Sequence, residues 1–136
     1  LAVLQILEVP DLPNPASFGA EPNMSDRVYS VGHPQGYNIQ YVEGKVRSDH
    51  LDKFSPQFYP VELHIYPGNS GGGLFNTKGE LVGVTSAVTV NYVPVKVLDL
   101  KKEEVTDSKT HLSLDGSGIT LVIHIENIKQ FLKGVL

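Results

Sequence analysis

Pro67-Gly68-Asn69-Ser70-Gly71-Gly72-Gly73-Leu74-Phe75-Asn76, followed at once by Thr77-Lys78-Gly79-Glu80-Leu81-Val82-Gly83-Val84, is the stretch from which the rest of the chain is read. Its second half is a strand signal. Short apolar pieces on either side of Asn76-Thr77-Lys78-Gly79 form a hairpin, because Asn and Gly supply the turn dihedrals that a tight reversal needs. Its first half is harder to explain by folding alone. Three consecutive glycines next to Leu74 and Phe75 lose much backbone entropy and provide no side chains to pack, so something must approach that backbone closely. One physical account is a Ser70 hydroxyl presented on a tight loop, with the N–H groups of Gly68 and Ser70 facing one small space that suits an oxyanion. The alternative is a glycine-rich turn in which Ser70 merely caps a backbone group.

Outward from this window the chain is a series of short apolar segments separated by Gly, Pro and Asn. This pattern predicts a mostly β protein. Leu1 to Leu7 reads as a buried strand. The segment from Pro10 to Pro22 carries four prolines and reads as a loop, since proline cannot donate to a central ladder. Strands are expected at Arg27 to Val31, Asn38 to Arg47, Val61 to Ile65, Gly73 to Phe75, Leu81 to Val90 and Ile119 to Ile123, and their length and spacing suggest a closed antiparallel barrel. Lys96 to Gly118 is polar and charged and reads as an exposed insertion, with a strand over Val95 to Leu100 at its base. Ile128, Phe131 and Leu132 then fall at helical spacing, which predicts a short closing helix over about 125–134.

Composition narrows the function classes. The chain has 136 residues, 40% of them hydrophobic and 19% charged, which fits a globular domain with a core of its own. No apolar run approaches the roughly 18 residues of a transmembrane helix. Eleven basic residues against fifteen acidic ones, with no basic cluster, argue against a nucleic-acid partner. The absence of cysteine excludes a thiol nucleophile, a disulfide framework and thiolate metal sites, and it is compatible with envelope, cytoplasmic or organellar settings. The five histidines are scattered without metal-ligand spacing, so no metal and no cofactor is expected.

Gly68-Asn69-Ser70-Gly71-Gly72 with Leu74-Phe75-Asn76 and Gly79-Glu80-Leu81-Val82-Gly83-Val84 resembles the nucleophile segment of trypsin-like serine peptidases, specifically the HtrA (Deg) branch. Val31-Gly32-His33-Pro34-Gln35-Gly36 followed by Val42-Glu43-Gly44-Lys45-Val46 is similar to the early strands of that family's second barrel. Gly118-Ile119-Thr120-Leu121-Val122-Ile123 resembles its final strand, which leads into the closing helix. The chain departs from the family at Gly73, where Pro or Ala is usual, at His124, where Pro is common, and in the insertion. The resemblance implies an all-β, chymotrypsin-like fold: a six-stranded antiparallel Greek-key barrel, preceded by the last strand of a first barrel and closed by a short C-terminal helix. It divides the chain into 1–9 (last strand of the N-terminal barrel), 10–26 (inter-barrel linker) and 27–136 (C-terminal barrel, with the insertion at about 96–117).

The same resemblance implies a serine-type endopeptidase acting on polypeptides. Ser70 would be the nucleophile, Gly68, Asn69 and Ser70 the oxyanion loop, His64 the base of the specificity pocket, and Thr85, Ser86 and Ala87 the wall along which a substrate backbone pairs. On the residues alone, His64 has a second reading, in which it hydrogen-bonds a backbone carbonyl and lines nothing. In this family the catalytic Asp stands directly before a strand like Leu1-Ala2-Val3-Leu4-Gln5-Ile6, and the catalytic His lies further upstream. Both are therefore expected to precede Leu1. His33, His50, His64, His111 and His124 each read as ordinary surface or pocket residues, and Asp49 and Asp52 near His50 as solvated loop charges. The alternative of a different class is a non-catalytic, protease-like barrel that binds extended peptides by strand addition. Family members are often homo-oligomers, and many carry a PDZ domain after the closing helix.

Overall fold

The computed structural model describes residues 1–7, 11–34, 38–47, 57–89, 91–94, 111–114 and 118–135. Six strands close into one antiparallel barrel in the order β1-β2-β3-β8-β5-β4. They are β1 (Arg27–Gly32), β2 (Gln40–Val46), β3 (Phe58–Glu62), β4 (Gly73–Asn76), β5 (Leu81–Val88) and β8 (Ile119–His124). Between β5 and β8 the chain forms β6 (Asn91–Pro94) and β7 (His111–Leu114), which pair with each other as a separate two-stranded sheet. Helix α1 (Ile125–Val135) follows β8 without an intervening loop. The architecture is the barrel and closing helix that the sequence implies. Closure comes from β1 pairing with both β2 and β4, so that no barrel strand is left with an open edge.

The core follows from side-chain alternation on strands that curve around one axis. Val28, Val46, Tyr59, Val61, Leu63, Leu74, Val82 and Val122 form one buried cluster, drawn from β1, β2, β3, β4, β5 and β8 and, with Leu63, from the residue just after β3. Tyr59 is its largest polar-tipped member. Its hydroxyl donates to the Val82 carbonyl at 3.2 Å, which satisfies the phenol inside the barrel. The β4–β5 turn is held by Asn76: its Oδ1 accepts from the amides of Lys78 and Glu80, and its Nδ2 donates to Glu80 Oε2. Gly79 there has φ 77°, a conformation that glycine adopts without cost. Helix α1 buries Ile125 and Ile128 against the barrel, with Glu126 in its first turn and Lys133 in its last, as the helix dipole favours.

The segment before β1 is irregular but anchored. Gly19 N donates to Leu81 O and Leu81 N to Ser17 O, both at 2.8 Å, so residues 17–19 run beside the start of β5. Ser25 N reaches Val46 O, and Glu21 pairs with His124 at the end of β8. Leu1 to Leu7 differs from the strand expected there. It carries no ladder pairing, and Leu4 and Leu7 are 87% and 82% exposed, because a strand exists only against a partner and no described strand lies beside it. Strand β7 lies inside the stretch that reads as an insertion. The expected strand over Val95 to Leu100, together with His50, Asp49 and Asp52, falls outside the described residues.

Burial pushes the Tyr59 phenol far above its ordinary value, and the Glu21 carboxylate adds to the shift. The folded protein therefore holds this proton more tightly than the unfolded chain does. The contribution is complete below pH 10, where an unfolded tyrosine begins to ionise, and is lost as pH rises from there toward the folded value. Denaturant unfolding between pH 8 and pH 11.5 is expected to show stability falling faster above about pH 10 in wild type than in Tyr59→Phe, the difference in slope approaching about 1.4 kcal/mol per pH unit. Parallel curves would mean that the phenol ionises freely.

Candidate active site

The loop between β3 and β4 is built from backbone. Asn69 N donates to Tyr66 O and Gly72 N to Asn69 O, each at 3.0 Å, which folds Tyr66 to Gly72 into two overlapping turns. Gly68 and Gly71 carry φ of 106° and 86°, in the region that L-residues avoid. Gly72 is constrained differently: a Cβ there would lie 2.9 Å from Asn69 O and 3.2 Å from Val31 O, both backbone atoms. The loop is then stapled to β5. Gly71 N donates to Thr85 O at 2.8 Å, Thr85 N to Gly72 O at 2.9 Å, and Thr85 Oγ1 to Asn69 O at 2.7 Å. Ser70 is left exposed on the loop with its neighbours fixed on either side.

Ser70 Oγ donates to Ser86 O at 2.9 Å. Ser86 is the extra residue of a β-bulge: Thr85 faces Val122 and Ala87 faces Leu121, so one residue of β5 has no counterpart on β8. Among the described residues, the amides of Asn69, Gly71 and Gly72 each donate to a carbonyl, whereas those of Gly68 and Ser70 do not. The two free amides flank Asn69 on the exposed rim of the loop.

The other residues singled out from the sequence divide by burial. Asn69 is 2% exposed; its side chain packs against Gly32 of β1, and its Oδ1 has no hydrogen-bond partner. Asn69 thus reaches the loop surface through its backbone alone. Thr85 is 1% exposed, with its hydroxyl and both backbone groups engaged by the loop, while Ser86 is half-buried and Ala87 exposed. His64 is exposed and lies against Gly118, a glycine with φ 70° on which a Cβ would sit 2.7 Å from the imidazole Cε1. The backbone around that contact is well tied, with Leu63 N donating to Gly118 O and Thr120 Oγ1 to Leu63 O.

Among the described residues no histidine is hydrogen-bonded to Ser70. His33 is exposed after β1, and His124 engages Glu21 through Nδ1 with its ring 4.9 Å from that of Tyr59. Nor does any group of three metal-ligating side chains form among those residues. No helix described there is long and apolar enough to cross a membrane. What the sequence did not reveal is the Thr85 hydroxyl on Asn69 O and the buried, unpartnered Ser30 Oγ of β1. The one available signal was a Thr-Ser pair within an otherwise apolar strand.

A closed six-stranded barrel with a serine on a glycine-rich loop beside a bulged strand defines a class, the chymotrypsin-like serine peptidase fold. The description "Trypsin-like peptidase domain" matches residues 1–84, and the chain belongs to that family. Its similarity lies in the HtrA/Deg branch. It is 37% identical over 94 residues to a probable periplasmic serine endoprotease DegP-like from Hahella chejuensis, covering 65% of this chain and 19% of that protein. The DegP-like protein of Pseudomonas putida strain F1 is 40% identical over 65 residues, covering 45% of this chain and 13% of the relative. The chain therefore spans about a fifth or less of the length of these relatives. Among solved structures, the HtrA-type protease AlgW with a decapeptide superposes with TM-score 0.64 at 18% identity, over 95% of this chain and 34% of that one. An inactive form of Rv3671c from M. tuberculosis H37Rv gives 0.61 at 19%, over 90% and 53%. At these identities the two structures bear on the fold alone.

The crowding at Gly72 has a measurable outcome. Gly72→Ala must displace one of two backbone carbonyls and is expected to destabilise the 136-residue chain by about 1–3 kcal/mol in urea unfolding, the range for overpacking. Gly134→Ala, where a Cβ meets nothing within 4 Å, serves as the control and is expected to be neutral or stabilising.

Proposed function

We propose that this chain is the nucleophile-bearing part of a serine endopeptidase that hydrolyses polypeptides through an acyl-enzyme on Ser70. The observation that carries the reading is the pattern of amides around Ser70: among the described residues, those of Gly68 and Ser70 meet no acceptor, while the intervening and following ones are engaged. Amides held without a partner on a rigid loop suit an oxyanion, because they need no reorganisation when charge develops. In this reading Ser70 Oγ bonds to the scissile carbonyl carbon as its proton passes to a base. The carbonyl oxygen becomes the oxyanion held by the two amides. The C–N bond then breaks, with the proton delivered to the departing amine, and water repeats the sequence to release the acid.

The base and its orienting carboxylate come, in this proposal, from a first barrel that precedes Leu1, with 1–9 as its last strand and 10–26 as the linker. Two facts support this: among the described residues no histidine is hydrogen-bonded to Ser70, and the chain spans only a small part of its relatives. His64, Ser86 and Ala87 line the substrate side, and no cofactor takes part. The second reading, a non-catalytic barrel that pairs with extended peptides, draws on the resting contact of Ser70 with Ser86 O.

A phosphonofluoridate probe is expected to label the full-length polypeptide at Ser70, and Ser70→Ala to abolish labelling and lower peptide hydrolysis by a factor on the order of 10⁶. A full-length protein that carries an upstream His and Asp yet never labels there would favour the binding module. The 136-residue chain alone is expected not to turn over peptides above background. Ser70-dependent hydrolysis by it would return the base to one of the five histidines within the chain.

A further inference from the structure

We propose that Thr85 is a positioning residue for the oxyanion amide of Ser70, acting through the carbonyl of Asn69; the inference rests on the peptidase reading above. Asn69 C=O and Ser70 N–H belong to the same peptide unit. That unit is planar, and in its trans form the N–H points away from the C=O, so whatever fixes the oxygen also aims the hydrogen. Two donors fix the oxygen: Gly72 N at 3.0 Å and Thr85 Oγ1 at 2.7 Å. With its carbonyl drawn toward β5, the unit presents its N–H on the opposite side, where no described carbonyl takes it.

Of the two donors, the Gly72 amide is backbone and belongs to any sequence folded this way. The hydroxyl belongs to Thr85 alone. It has a single proton, and Asn69 O is nearer than its other neighbour, Gly72 O at 3.1 Å, which Thr85 N already serves. At 1% exposure, water does not compete for the bond. A donor on the carbonyl also polarises the peptide and strengthens its N–H toward an incoming anion. Thr85 is thereby removed from the substrate wall, because its hydroxyl, amide and carbonyl all face the loop. Recognition along β5 falls to Ser86 and Ala87.

The test compares Thr85→Val, which keeps the shape and loses the hydroxyl, with Thr85→Ser, which keeps the hydroxyl, in the full-length polypeptide. Thr85→Val is expected to lower kcat about tenfold with KM within about twofold, and Thr85→Ser to stay within about threefold of wild type, an effect sized to one hydrogen bond. A peptide aldehyde, whose hemiacetal places an oxyanion in the site, is expected to bind Thr85→Val about tenfold more weakly, while the corresponding peptide alcohol binds as to wild type. If Thr85→Val does not fold, Thr85→Ala against Thr85→Ser gives the same contrast at nearly equal volume. Unchanged kcat and aldehyde affinity on loss of the hydroxyl, in a wild type that labels at Ser70, overturn the inference alone. A wild type that neither labels nor hydrolyses overturns the peptidase reading and this inference with it.

Discussion

The pairing of Thr85 with Gly71 and Gly72 carries the ladder of β4 and β5 beyond the end of β4 and into the serine loop. Because both backbone groups of Thr85 engage the loop, the conformation of Asn69 and Ser70 is tied to a barrel strand that is paired along both edges. β5 in turn is held by β8 on its other side and by residues 17–19 at its start. The loop therefore inherits the rigidity of a closed sheet, although it contains no strand of its own. A loop held only by its two ends would lose that geometry with each fluctuation of its backbone.

This arrangement demands glycine and excludes bulk. The backbones of Asn69, Val31 and Gly72 converge so closely that a single methyl at Gly72 would enter them, while Gly68 and Gly71 take dihedrals that other residues adopt only with strain. The polar groups drawn inside by this convergence are mostly satisfied, as with the Thr85 and Thr120 hydroxyls. Ser30 Oγ and Asn69 Oδ1 are the exceptions among the described residues, both close to the loop and β1. Unsatisfied buried groups cost stability and concentrate where a structure serves something other than its own folding.

Much of this was legible in the sequence. Most barrel strands, the Asn76-to-Gly79 turn and the closing helix follow from local patterning, and the run of glycines beside Ser70 marks a backbone that something must approach. β3 lies three residues before the expected Val61 to Ile65, because Pro60 masked the start of an apolar strand that pairs with β8. What stayed hidden was relational. Leu1 to Leu7 has the composition of a strand, but composition does not provide the neighbour that makes one. β7 was lost because His111-Leu112-Ser113-Leu114 is a four-residue alternation within a charged stretch, too short to weigh against it. Thr85, Ser86 and Ala87 look alike as small residues at the end of a strand; the structure separates them into a buried Thr85, a half-buried Ser86 at the bulge and an exposed Ala87.

The contact between Ser70 Oγ and Ser86 O also bears on time. A single neutral hydrogen bond at the surface contributes about 1 kcal/mol net, so other rotamers of Ser70 retain populations on the order of ten per cent, exchanged within nanoseconds. The backbone beneath it is held by the hydrogen bonds of the Asn69, Gly71 and Gly72 amides to the carbonyls of Tyr66, Thr85 and Asn69. Departure from rest thus requires one side-chain torsion and no rearrangement of the loop, which makes this serine a swivelling group on a fixed mount.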